Sequence, residues 1–283
     1  MSEFLLHTWH YLAKASVSSF SQIVIIFGPL LLLAFLMNFI AGTCEKLSLK
    51  VIREDIYLYL FAWLGTAVHE AGHALFAILF RHKINKIKFF SPDPSTGTLG
   101  YVDHSYNKKS LYQQIGNFFI GIGPIMMCCL VLYVLSYLLF KIKLNNLSTL
   151  TITTDTFRSM ATFGAACAEI WSAIKAFVSE VFRGPHSNFI KVALFLFCLY
   201  SIGSSITLSK SDLATSGKGF LTVVIVIFVF NLATIWKGGF ATVYAAKLGA
   251  FLSGFYFIII LAALINLFFM LILGIVSMVK HKG

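Results

Sequence analysis

Residues 56–80 form one apolar run, and inside it lies His69-Glu70-Ala71-Gly72-His73. The pattern H-E-x-x-H puts two imidazoles four residues apart, so on a helix both leave the same face and can share a metal ion. Glu70 sits beside them, where it can take a proton from a water on that metal. Counting along the helix, His69 lies roughly 20 Å from residue 56 and His73 roughly 10 Å from residue 80. The pair is therefore predicted at membrane depth, where titratable side chains are costly and call for a function.

Composition sets the broad class. Hydrophobic residues make up 58% of the 283 and charged residues only 12%, too little charge for the surface of a water-soluble fold this size. The chain reads as an all-α polytopic membrane protein, a single membrane-embedded domain over 1–283. The net charge of +11 points to nucleic acid in a soluble protein. Here the basic residues fall between apolar runs, which suits lipid headgroups, and no nucleic-acid partner is expected. Cys44, Cys128, Cys129, Cys167 and Cys198 have no zinc-finger spacing and suggest packing residues without a disulfide framework.

Apolar length predicts six transmembrane helices, at about 20–41, 56–80, 111–140, 189–208, 219–236 and 248–279. Residues 1–21 suit a helix in the membrane interface, without a cleavable leader, and Gly28-Pro29 predicts a kink in the first span. After the motif helix, Lys86-Ile87-Lys88-Phe89-Phe90 and Thr98-Leu99-Gly100-Tyr101-Val102 flank a turn-rich stretch, predicting a small β-hairpin over 86–102. Its free edge offers strand addition to an extended peptide, or it merely caps the loop. Asp155 as N-cap and Gly184-Pro185 as stop bracket an interfacial amphipathic helix over 156–183. One face carries Phe157, Met160, Trp171 and Val178, the other Arg158, Thr162, Glu169 and Arg183. Six alternating spans place both termini on one face, which holds 11 Lys and Arg against 11 on the other, nine once Arg158 and Lys175 are set aside as far from any span end. The positive-inside rule then favours cytoplasmic termini of an integral, multi-pass protein, most simply of the cell membrane.

Two histidines leave a tetrahedral site incomplete, and the third ligand is sought among Asp212, Glu169, Asp103 and His104. Glu169 falls on the polar face of the amphipathic helix, whose connection emerges on the side away from His73. Asp103 and His104 lie in a polar loop. Asp212, in Ser209-Lys210-Ser211-Asp212-Leu213, starts a span on the side of His73; the alternative for it is a plain helix cap.

Over 56–236 the chain resembles the site-2 protease family of intramembrane zinc metalloproteases, as a compact member. The resemblance rests on His69-Glu70-x-x-His73, on Thr98-Leu99-Gly100-Tyr101-Val102 (similar to the family's Leu-Gly-Gly-Tyr-Val strand), on Gly123-Pro124, and on an Asp near a later span. It implies Zn2+ held by His69, His73 and Asp212, with Glu70 as catalytic base, and a membrane-protein or peptide substrate cleaved in or near a transmembrane segment, as in regulated intramembrane proteolysis. Two positions depart from the family pattern: Leu213 follows Asp212 where Gly is usual, and Met127 stands where Asn is frequent. Rival readings are a metalloprotease of a distant-Glu class, with Glu169 as ligand, a non-catalytic zinc-binding membrane protein, and a transporter. A transporter is expected to carry ionisable groups at matching depth in several spans, which this chain lacks.

Overall fold

The computed structural model describes residues 2–93, 95–143, 159–234, 236 and 240–280. The chain is mostly helical: α1 (Ser2–Val51), α2 (Glu54–Ile56), a π-helical segment (Tyr57–Ala62), α3 (Trp63–Leu79), then strands β1 (Lys83–Lys88) and β2 (Tyr101–Ser105). There follow α4 (Leu111–Phe140), α5 (Met160–Arg183), α6 (Phe189–Gly203), α7 (Lys210–Thr234) and α8 (Phe240–Lys280). Five stretches, within α1, α4, α5, α7 and α8, are long and apolar enough to cross a membrane.

The interfacial segment and first span expected near the N-terminus are one helix of 50 residues, about 75 Å long. No stop signal separates them, and Gly28, without a Cβ to crowd the proline ring, lets the helix continue through Pro29. α5 forms where the amphipathic pattern predicts a helix, but Ser159 and Thr162 cap it through a reciprocal capping box. The expected cap Asp155, with Phe157 and Arg158, lies outside the described residues. The buried stripe of α5 is Ala173, Ile174, Phe177 and Val181, whereas Met160, Trp171 and Val178 are exposed.

The sense of the helices differs from simple alternation. Gly72 faces Gly123 and Phe80 stacks on Phe119, so α3 and α4 are antiparallel. Ser19 and Gln22 meet Asn231 while Asn38 meets Leu208, so α7 runs against α1. Gly65 packs on Ser201 and His69 bonds Ser205, so α6 runs with α3. α7 also runs antiparallel to α4, since Gly219 meets Phe118 and Gly121 meets Asp212 and Ser216. α6 and α7 therefore point the same way. They form one interrupted traverse, broken over residues 204–209 at the level of His69, where the sequence predicts two spans of opposite sense. α8 is parallel to α1, because Tyr256 bonds Ile26 O and Lys280 bonds Lys50 O. The C-terminal ends of α1 and α8 meet, so Ser2 and Lys280 lie at opposite ends of the bundle, where simple alternation puts both termini on one face.

The hairpin forms with its strands displaced from the expected 86–102 towards the helix ends. β1 and β2 pair antiparallel from Lys83↔Ser105 to Lys88↔Tyr101, with a bulge between Ile84 and Lys86. The bulge interrupts the two-residue alternation at Asn85, which is why periodicity alone starts the strand too late. Beyond the strands the arms stay joined by Ser91 N–H to Leu99 O (2.6 Å) and Asp93 N–H to Thr98 O (2.9 Å). The hairpin folds back along the motif helix: Phe90 stacks edge-on against Tyr59, with centroids 5.7 Å apart. Irregular backbone beside an apolar helix is tolerated where protein or a wet cavity satisfies its polar groups.

Candidate metal centre

α3 presents its two histidines on one face, and each ring is fixed from behind by a main-chain carbonyl. His69 Nδ1 lies 2.9 Å from Ser205 O and His73 Nδ1 lies 2.8 Å from Ile120 O. A carbonyl only accepts, so both rings carry a proton on Nδ1, and in the neutral form both present a lone pair at Nε2. Those lone pairs converge on Asp212: His73 Nε2 is 3.1 Å from Oδ1 and His69 Nε2 is 3.7 Å from Oδ2. With neutral rings, the two Nε2 lone pairs and the carboxylate repel unless a cation stands between them, either a metal ion or the proton that makes an imidazolium. The three donor atoms lie within 4.8 Å of one another. Ligands about 2.05 Å from a tetrahedral ion are about 3.3 Å apart, which the two nitrogen–oxygen separations bracket. The donor set fits zinc, and the carbonyls behind the rings are the usual orienting partners of metal-bound imidazole.

Local chemistry holds Asp212 in place. Ser209 and Asp212 cap α7 reciprocally: Asp212 N–H donates to Ser209 Oγ (3.1 Å) and Ser209 N–H donates to Asp212 Oδ2 (2.8 Å). Asp212 is thus the third residue of a capping box, and its role as helix cap and its position beside the histidines are not alternatives. The break that delivers it is clamped from α1, where Asn38 donates to Leu208 O and accepts from Leu208 N–H, each at 2.8 Å.

Glu70, 7% exposed, has no hydrogen bond or ion pair with another side chain among the described residues. It lines a cavity of about 790 Å³ together with His69, His73 and Asp212. The hairpin closes one wall through residues 97–102 and His104; hydroxyls of the 204–209 break form another. Two close approaches bring the surrounding elements together. A Cβ on Gly100 would stand 2.8 Å from Glu70 Cγ, and one on Gly72 would stand 2.7 Å from Gly123 O and from the Pro124 backbone. Only glycine allows the strand to touch the acid and α3 to touch α4.

Of the four sequence candidates for the third ligand, the structure brings Asp212 to the histidines. Glu169 is exposed on α5. Asp103 is exposed beside Asn85, and His104 lines the cavity with its Nδ1 turned to His82. Sequence reasoning missed four contributors. The carbonyls of Ser205 and Ile120 leave no side-chain signal. Asn38 had one, an amide in an apolar run, and Ser209 had the S-x-x-D pattern of a capping box. No protein-family model matches the chain, and no curated protein or solved structure matches it.

Proposed function

We propose that the chain is an intramembrane zinc peptidase, an integral membrane protein that hydrolyses a peptide bond in or near a transmembrane segment. The observation that carries this reading is the convergence of His69 Nε2, His73 Nε2 and the Asp212 carboxylate, with Glu70 beside them in the wall of a cavity large enough for a peptide. His69, His73 and Asp212 hold the metal. Bound there, zinc supplies Lewis acidity and brings the pKa of its water to about 7.

The chain's own groups do the rest. Glu70 accepts the proton of the attacking water and returns it to the leaving amine, as a carboxylate within reach of both can. A helical amide has no accessible carbonyl, so the substrate must unwind locally before attack. The hairpin beside Glu70 offers unwound backbone a strand to lie against. The hydroxyls of the 204–209 break keep the opposite wall wet. Ser205 O and Ile120 O hold the two imidazoles in the tautomer a metal needs.

The test is cleavage of membrane-segment peptides by purified protein, with and without a chelator, alongside elemental analysis. The reading expects about one zinc per chain, by the three-ligand count, and cleavage that chelation abolishes and zinc restores. Zinc without cleavage of any membrane peptide would favour a non-catalytic zinc-binding protein; no metal at all would end the reading.

A further inference from the structure

A second pair of histidines lies at the edge of the same cavity, His104 in its lining and His82 bonded behind it, and the proposed reaction does not use it. His82, 6% exposed, lies between the hairpin and α4, its ring stacked on Tyr106 with centroids 5.1 Å apart and planes 18° apart. Its Nε2 is 2.8 Å from Gln113 O and its Nδ1 is 3.1 Å from His104 Nδ1. These contacts fix both tautomers in sequence. The carbonyl forces the His82 proton onto Nε2, which leaves His82 Nδ1 an acceptor. His104 must then donate from Nδ1, which leaves its Nε2 an acceptor. That Nε2 has no hydrogen-bond partner among the described residues, it is not among the fully buried unpaired atoms, and His104 lines the cavity. A fixed lone pair is therefore left at Nε2 of a residue of the cavity wall.

We infer that His104 is a positioning residue, resting on the peptidase reading above: its Nε2 accepts a hydrogen bond from a main-chain N–H of the unwound substrate, three or four residues from the scissile bond. The offset follows from the strand. Gly100 touches Glu70, and His104 is four residues further along, about 13 Å at strand rise. An extended substrate beside the hairpin covers that length in about four residues. Both rings stay neutral, as an acceptor role requires. Burial, with His82 and His73 nearby, pushes the His104 pKa down to about 4 against a smaller opposing effect of Asp103, and burial lowers that of His82. Among the described residues no carboxylate stands among the ring's hydrogen-bond partners.

The experiment is an ester scan. In a cleavable peptide, single main-chain N–H groups on either side of the scissile bond are replaced in turn by ester oxygen, and each peptide is assayed with the wild type and with His104→Phe, with zinc content measured on both. In the wild type, one position three or four residues from the cleaved bond raises KM about tenfold with kcat unchanged, the scale of one net hydrogen bond. His104→Phe keeps its zinc, raises KM for the all-amide peptide by the same factor, and is indifferent to the ester at that position. Should His104→Phe lose its zinc, His82→Phe frees the His104 proton to move to Nε2 and gives the same loss of ester sensitivity. Equal ester sensitivity in wild type and variants at every position overturns the role of His104 and leaves the peptidase standing. Absence of chelator-sensitive cleavage by the wild type fells both.

Discussion

Two histidine pairs lie at one cavity, the first lining it with both rings and the second with His104 alone, and they differ in what stands behind and before each ring. In the His69–His73 pair both Nδ1 atoms face main-chain carbonyls and both Nε2 atoms face Asp212. In the His82–His104 pair one ring faces a carbonyl, the two Nδ1 atoms face each other, and no carboxylate is among the bonded partners. The first arrangement has more lone pairs than protons and attracts a cation. The second shares its protons out evenly and stays neutral. Imidazole chemistry in a low-dielectric site is thus decided by the third partner, here one aspartate.

The largest expected effect is on turnover. Glu70→Gln keeps zinc and fold but cuts cleavage roughly 10²–10⁴-fold, the range for a lost acid–base group. Normal cleavage by that variant would assign the base elsewhere.

The pairs themselves separate in metal content. His69→Ala with His73→Ala leaves no zinc by elemental analysis, whereas His82→Phe with His104→Phe retains it in full. Equal loss from both double variants would erase the distinction between the pairs.

Asp212→Asn sharpens the same point. The amide oxygen still accepts from Ser209 N–H, so α7 keeps its cap within about 1 kcal/mol, while the lost charge removes most of the zinc. Full zinc occupancy in Asp212→Asn would show that the aspartate acts only as a cap.

A smaller effect falls on packing. Gly72→Ala forces a Cβ to within 2.7 Å of Gly123 O, which must push α3 off α4. A loss of about 1–3 kcal/mol in denaturant unfolding is expected, with zinc affinity falling as Ile120 O leaves His73. Unchanged stability would mean that this crossing has slack.

The smallest concerns pH at the second pair, where His73, His82 and Asp103 surround His104. Its pKa falls on folding, so the proton binds more weakly in the folded state than in the unfolded chain. The stability it contributes is full above about 6.5 and is lost as pH drops towards the folded value of about 4. Hydrogen-exchange protection of β1 and β2, corrected for intrinsic rate, should decline over that window and lose the step in His104→Phe. A step that persists in the variant would belong to another group.

Much of this was legible in the chain. α4 begins and ends at 111 and 140, where apolar length puts it, and the helix carrying His69 and His73 is where hydropathy and the motif agree. Asp212 could be found because a carboxylate next to an apolar run is rare. The direction of α7 could not. Hydropathy measures length, and residues 204–209 read alike whether they turn at a surface or interrupt one traverse in mid-bundle. The tautomers were equally hidden, since Ser205 and Ile120 act through carbonyls that every residue possesses.

Asp212 follows His73 by 139 positions (212 − 73), at the far side of the break in the interrupted traverse. At about 5–20 residues per second, a ribosome reaches it roughly 7 to 30 s after the second histidine. Throughout that interval the nascent chain owns two ligands and no counter-charge, and the closing carboxylate arrives only when α7 begins to form its first turn. On the proposed peptidase reading, a hydrolase assembled in this order is inert while it is being made, because the capping bonds that start α7 also bring in the third ligand.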